Sequence, residues 1–244
     1  MVDLKIQNAI HRNKMQKLLI AIADNPFLSK RIYFRGGTCA AMLGYLDRFS
    51  VDLDFDPYKS IATSDMLNFR KELLPIFDKL DFKIDRENYE SLFFTLKYKA
   101  KVNFRNTLML SVFNEVIKNN DYQKVKITEI DRFMTCQTVE SMFANKLVSV
   151  MDRYNRHKKI AGRDIYDVKY FFEQGYEFKN EIIKERTGME TKDYIKKLIV
   201  FIEKEVTEDL INRDLNMLLA PDTFSKIRKT LKQDTLLFLK NLIN

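Results

Sequence analysis

The run Val51-Asp52-Leu53-Asp54-Phe55-Asp56 alternates apolar and acidic residues, and that alternation constrains the fold more than any other stretch of the chain. A period of two marks a strand whose successive side chains point to opposite faces. Val51, Leu53 and Phe55 make one apolar face, and Asp52, Asp54 and Asp56 make one acidic face with carboxylates roughly 7 Å apart. Aspartate is disfavoured in strands, and like charges on one face push each other's pKa up. Two explanations are open. The segment is a solvated edge strand whose acids block edge-to-edge pairing, or its acidic face takes a divalent cation. Hard oxygen ligands suit Mg2+, which keeps waters and completes its shell from substrate phosphate. Asp52 and Asp54 are the natural pair for it. Asp56, next to Pro57, is expected to face solvent.

A helix's length earlier stands Phe34-Arg35-Gly36-Gly37-Thr38. Paired glycines let the backbone adopt left-handed angles and approach a ligand closely, and Thr38 is placed to cap a helix running through Leu46. A plain tight turn would use the same residues. Neither Gly-x-x-x-x-Gly-Lys nor Gly-x-Gly-x-x-Gly occurs here, which argues against a P-loop and against a dinucleotide fold. What sets this turn apart is the acidic strand just beyond the next helix. In that order the two segments can hold the two ends of one metal-bound nucleoside triphosphate.

With 6 Gly and 4 Pro in 244 residues, long helices are expected around a short-stranded region. Helices are read at Leu4 to Ala23 and Thr63 to Lys79, and strands at Arg31 to Arg35, Ser91 to Val102 and Thr107 to Phe113. A strong helix capped by Thr138 runs from Val139 to about Asp152, and another, capped by Asp164, ends near Gly175. Amphipathic helices follow over Asp193 to Glu205 and Phe224 to Leu242, where Ile195, Leu198, Ile199, Ile202 and Val206 recur at helical spacing. The expected class is α+β: a small mixed sheet flanked by helices (1–135), then a helical C-terminal domain (136–244).

Composition narrows the function classes. An apolar content of 45% suffices for a full core. No stretch reaches the roughly 20 apolar residues that span a bilayer, and Met1-Val2-Asp3-Leu4-Lys5 lacks the layout of a secretory signal, so no membrane partner and a cytoplasmic location are expected. Cys39 and Cys136, with only His11 and His157 for company, give no zinc-like spacing and read as buried thiols. A net charge of +8 favours polyanionic partners.

On the helix after Thr138, Lys146, Ser149 and Arg153 share a side, with the two cations about 10 Å apart along the axis. They read as a phosphate-binding face or as two solvated cations. Beyond the basic connection Arg156-His157-Lys158-Lys159 comes Arg163-Asp164-Ile165-Tyr166-Asp167. There Asp164 either caps its helix and pairs with a nearby cation or serves the chemistry, by orienting Lys146 or by helping to deprotonate an attacking hydroxyl.

Taken together, these segments resemble the AbiEii/AbiGii-type toxins, a branch of the nucleotidyltransferase superfamily whose catalytic core is similar to that of DNA polymerase β. The family pattern is a basic residue with Gly-Gly-Ser/Thr, then Ser-x-Asp-Leu-Asp, then Lys-x-x-small-x-x-x-Arg, then Arg-Asp-x-x-Asp. The chain carries it in order as Arg35-Gly36-Gly37-Thr38, Ser50-Val51-Asp52-Leu53-Asp54, Lys146 through Arg153, and Arg163-Asp164-Ile165-Tyr166-Asp167. The resemblance implies that Arg35, Gly36, Gly37, Thr38, Ser50, Lys146 and Arg153 bind the nucleotide and that Asp52 and Asp54 bind Mg2+. It further implies that Asp52, Asp54, Lys146 and Asp164 are catalytic, with Arg163 and Asp167 in support. Two departures stand out. Arg35 occupies a position that is often Lys, and Ser111 stands where many superfamily members place a third carboxylate, with Glu115 nearby in sequence.

The activity so implied is Mg2+-dependent transfer of a nucleoside monophosphate from an NTP to a nucleic-acid hydroxyl, tRNA 3′ ends first, by the toxin of a toxin–antitoxin or abortive-infection pair with a separate antitoxin. Lys158, Lys159, Lys196 and Lys197 are available to track an RNA backbone. Two other classes use the same residues: a phosphotransferase acting on a protein or small molecule, and a catalytically degenerate RNA-binding module.

Overall fold

The computed structural model describes residues 4–88 and 90–243; Tyr89, Asn244 and the Met1-Val2-Asp3 start of the segment read for a secretory signal lie outside the described residues. The chain forms two compact units, one of Met1–Gly44, Phe49–Val116 and Tyr122–Gln137, the other of Tyr45–Arg48, Ile117–Asp121 and Thr138–Asn244. No helix among the described residues is long and apolar enough to cross a membrane.

The first unit contains α1 (Leu4–Asp24), β1 (Ile32–Arg35), α2 (Gly36–Met42), β2 (Asp52–Pro57), α3 (Thr63–Lys79), β3 (Lys83–Asn88), β4 (Leu92–Lys97), β5 (Thr107–Val112), β6 (Tyr122–Ile127) and β7 (Arg132–Gln137). Its strands make one mixed sheet in the order β3-β4-β5-β2-β1-β7-β6. Strand β2 pairs antiparallel with β1 and parallel with β5. Its interior position rules out the edge-strand explanation of its aspartates. The apolar face is built row by row: Phe34 lies opposite Phe55, Leu53 opposite Leu110, and Leu110 opposite Phe94. All of these are fully buried, as are Leu18, Leu19 and Ile22 of α1 and Leu73 of α3. Each such side chain contributes about 1.5–3 kcal/mol by leaving water. The acidic residues are thereby turned to the other face.

The second unit is helical: α4 (Val139–His157), α5 (Gly162–Glu173), α6 (Asn180–Thr187), α7 (Thr191–Glu205), α8 (Glu208–Leu215), α9 (Pro221–Ile227) and α10 (Leu231–Asn241). Phe143, Leu147, Ile165, Ile195, Leu198, Ile202 and Leu239 are fully buried in it. The Thr138 side chain caps α4 as expected, accepting from the Ser141 N–H.

Several sequence expectations need correction. The sheet is wider than expected, because β3, β6 and β7 were not foreseen. Helix α2 stops at Met42 rather than Leu46, while α4 runs on through Arg156 and His157. The helix expected over Phe224 to Leu242 is two helices, α9, which buries none of its side chains, and α10. Thr38 and Asp164 are not caps. The residues at those positions are Arg35 and Ala161, and the Gly162 N–H is satisfied instead by the Asp214 carboxylate at 2.8 Å.

Candidate active site

In the first unit the glycine turn and the acidic strand meet directly. Gly36 has φ +78°, and a Cβ there would lie 2.9 Å from Asp54 Oδ2 and 3.2 Å from Asp54 Cβ. Only glycine serves, both for the left-handed backbone and for the space. Arg35 is the register partner of Asp54, and the first turn of α2 follows at once. The Thr38 hydroxyl, buried, donates to the Asp52 carbonyl oxygen at 2.5 Å. Its role is to bind α2 to β2, which fixes the turn against the acidic strand. Gly37 is helical, and Ser50 lies in the chain leading into β2.

Asp52 and Asp54 are half-buried on their strand. In the parallel pairing of β2 with β5, Asp54 stands beside Ser111, and the Ser111 hydroxyl donates to Asp54 Oδ1 at 2.6 Å. A hydroxyl therefore orients Asp54 at the strand position where a further carboxylate was looked for; Glu115 lies past the end of β5, exposed. Asp56 corrects an expectation: it is 3% exposed rather than solvent-facing. Arg35 Nε sits 2.8 Å from Asp56 Oδ1, and the Tyr122 hydroxyl donates to Asp56 Oδ2 at 2.8 Å. Burial opposes the charge of Arg35, but Asp56 and Asp54 hold its pKa above the ordinary value. The approach to the strand is pinned by His11, whose Nε2–H donates to the Val51 carbonyl at 2.8 Å while Nδ1 lies 2.7 Å from the Tyr98 hydroxyl. Burial lowers the His11 pKa to about 4, against a smaller opposite effect of the Val51 bond.

Among the described residues no three His, Cys, Asp or Glu converge as a metal site. The acidic face therefore offers an ion two protein carboxylates, Asp52 and Asp54. That donor set fits Mg2+, which takes one or two carboxylates and fills the rest of its octahedron with water and substrate phosphate. The close approach that Gly36 permits is taken up by Asp54 itself, which packs against the turn.

The second unit holds a different arrangement. Lys146 Nζ lies 2.9 Å from Asp164 Oδ1 and 3.0 Å from Asp167 Oδ2. Arg153 Nε reaches Asp164 Oδ2 at 3.1 Å. Arg48 grips Asp167 with two N–H groups, Nε at 2.5 Å and a terminal nitrogen at 2.7 Å. Both carboxylates are buried, at 1% and 0% exposure. Burial pushes the Asp164 carboxyl up, but Lys146, Arg153 and Arg163 outweigh it and the pKa falls to about 2. So weak a base does not take a proton from a hydroxyl near neutral pH, so of its two possible chemical roles the geometry fits orienting Lys146. The Ser149 hydroxyl donates to the Asn145 carbonyl at 2.7 Å and stays out of this cluster.

The family assignment follows from a match to the model described as nucleotidyl transferase AbiEii toxin, type IV TA system, over residues 17–235. The chain belongs to the AbiEii nucleotidyltransferase toxin family. Solved structures share the fold. A putative nucleotidyltransferase from Helicobacter pylori is 22% identical at a TM-score of 0.57, covering 99% of this chain and 97% of its own. JHP933, also from H. pylori, gives 22% and 0.55, with 97% and 93% coverage. MenT4, a nucleotidyltransferase toxin from Mycobacterium tuberculosis H37Rv, gives 13% and 0.56, with 98% and 86% coverage. No curated protein matches the chain.

For this AbiEii-family chain, sequence reasoning missed Arg48 and His11. Arg48 stands three residues before Val51, at the head of the acidic segment, and nothing local gives it a role; its partner lies 119 residues on. His11 fell in an unremarkable amphipathic helix. Nothing local announces that its ring reaches the carbonyl of Val51.

Proposed function

We propose that this AbiEii-family chain is a metal-dependent enzyme that transfers a nucleoside monophosphate from an NTP to a nucleic-acid hydroxyl, tRNA 3′ ends being the first acceptor to test. The observation that carries the reading is the obligatory glycine: the chain uses the one residue that lets a turn close onto the Asp54 carboxylate, beside a second carboxylate on an interior strand. Asp52 and Asp54 hold Mg2+, Ser111 fixes the rotamer of Asp54, and Thr38 locks the strand to the turn. Bound there, the ion would supply neutralisation of phosphate charge and of the charge on the attacking and leaving oxygens. The resemblance assigns Lys146 and Arg153 to nucleotide binding, and within their own unit Asp164, Asp167 and Arg48 hold Lys146 in one orientation. The acceptor oxygen bonds to the α-phosphorus, the bond to the β-phosphate oxygen breaks, pyrophosphate leaves, and the hydroxyl proton passes to water. Such chemistry draws on positioning and charge neutralisation.

The family supports a toxin's role, restrained by a separate antitoxin. The test is incubation with each α-labelled NTP, Mg2+ and total tRNA. Wild type labels RNA and Asp54→Asn does not; equal failure of both overturns the reading. Label transferred from the γ position alone marks a phosphotransferase. If NTP with Mg2+ does not raise the melting temperature, the protein is a non-catalytic module, since a ligand that binds only the folded state must raise it.

A further inference from the structure

The sheet face that carries Asp52 and Asp54 continues beyond β1. Side chains alternate along a strand and register partners share a face. Asp56 lies opposite Tyr33 on β1, and on the outer pair Gln137 lies opposite Tyr122, Thr135 opposite Lys124, and Phe133 opposite Lys126. The Tyr122 bond to Asp56 spans the sheet on this side, and the Tyr33 and Tyr122 rings lie 4.8 Å apart. The opposite face of the same strands is the buried one, with Phe34, Met134, Cys136 and Ile127. On the acidic side Phe133 is 60% exposed and Lys124 is exposed. Lys126 is also exposed, and its pair with Asp131 at 2.7 Å is a surface contact between groups more than half exposed, of the kind that contributes little.

We infer that the β1-β7-β6 half of this face is the track along which a single-stranded nucleic-acid acceptor reaches the acidic pair. Binding a strand without sequence readout takes aromatic faces for bases and cations for the backbone, interleaved. Tyr33, Tyr122 and Phe133 supply the first, Lys124 and Lys126 the second. From β2 to β6 the strand spacing gives about 14 Å, the length of about four nucleotides stacked at ~3.4 Å. The charge complementarity favours a polyanion over a protein partner or a second copy, whose contact would centre on a desolvated apolar patch depleted of lysine. The identity of the strand as acceptor rests on the proposed transferase; the binding itself is measured without catalysis.

The experiment is fluorescence anisotropy of the full chain with a labelled oligouridine, read across a salt series. Phe133→Ala weakens binding by about tenfold, as for loss of one base stack, and leaves the thermal stabilisation by NTP and Mg2+ unchanged. The paired change Lys124→Gln and Lys126→Gln makes the salt dependence shallower by about 1.4, two phosphate contacts on a single strand. Affinity and salt slope unchanged in these variants overturn the inference, even if Asp54→Asn abolishes transfer and the enzyme stands. So does a Phe133→Ala protein whose self-association changes while its RNA affinity holds. Losses of RNA binding as stated, in a protein that transfers no label, support the track and sink the transferase.

Discussion

The acidic strand and the α4–α5 cluster both set aspartates beside cations, and they differ in what water is allowed to reach. Asp164 and Asp167 are shut away from solvent, and Arg48, Lys146 and Arg153 neutralise them with built-in charge. Asp52 and Asp54 stay half-buried; Asp54 has a neutral hydroxyl and a glycine against it. A carboxylate closed off with cations can only position those cations. One that is half-exposed and faces a neutral hydroxyl, as Asp54 does, can take an ion brought from outside. The same residue type thus plays opposite parts, and Asp56 shows the changeover within one strand: two residues past Asp54, Arg35 and Tyr122 have closed it in.

The largest expected effect breaks the open side. Asp54→Asn lowers transfer by about a thousandfold, the scale on which a metal's charge stabilisation is felt, and leaves the urea midpoint near that of wild type because Arg35 keeps its closer partner, Asp56. Next comes the closed side. Arg48→Met deprives Asp167 of its bidentate partner in a dry site but leaves it Lys146, and costs about 3 kcal/mol of stability, the low end of the range for breaking a buried ion pair; urea unfolding measures it. A Met replacement that unfolds at the wild-type midpoint would contradict the distinction drawn here.

A pH series sharpens the contrast by a third route. His11 is held neutral, with its folded pKa below the unfolded value, so the unfolded chain binds more protons between pH 6.5 and about 4. Stability is full above pH 6.5 and falls through that window by up to about 3 kcal/mol. His11→Phe flattens that limb. Asp164, with a pKa lowered from 3.8 to about 2, keeps its contribution above 3.8 and loses it only on further acidification, so the two limbs separate in a melting-temperature profile. The smallest effect is expected at the turn: Gly36→Ala strains a left-handed residue and crowds Asp54, for about 2 kcal/mol of stability, with a loss of transfer larger than that destabilisation alone explains.

Much of this architecture was legible in the sequence where residues repeat with a period. The alternation at β2 gave both the strand and the side on which its aspartates lie, and α3 was readable from end to end. Strand β3 was not, because its Lys83-Ile84-Asp85-Arg86-Glu87-Asn88 run is mostly exposed at a sheet edge and carries no apolar face. Strands β6 and β7 alternate only over short stretches, and nothing local shows that one parallel pairing of β7 with β1 adds them to the sheet. The environment of each site residue was less readable than its identity. That Asp56 is buried depends on Tyr122, and that Asp167 is neutralised depends on Arg48, each a partner far along the chain.

The central claim, that Asp52 and Asp54 form an open site for a metal-bound nucleotide, is tested most directly by calorimetric titration of NTP into the protein with and without Mg2+. The account predicts saturable binding in wild type that requires Mg2+ and disappears in Asp54→Asn, while the variant remains folded. Equal binding by wild type and Asp54→Asn, or binding indifferent to Mg2+, would contradict it.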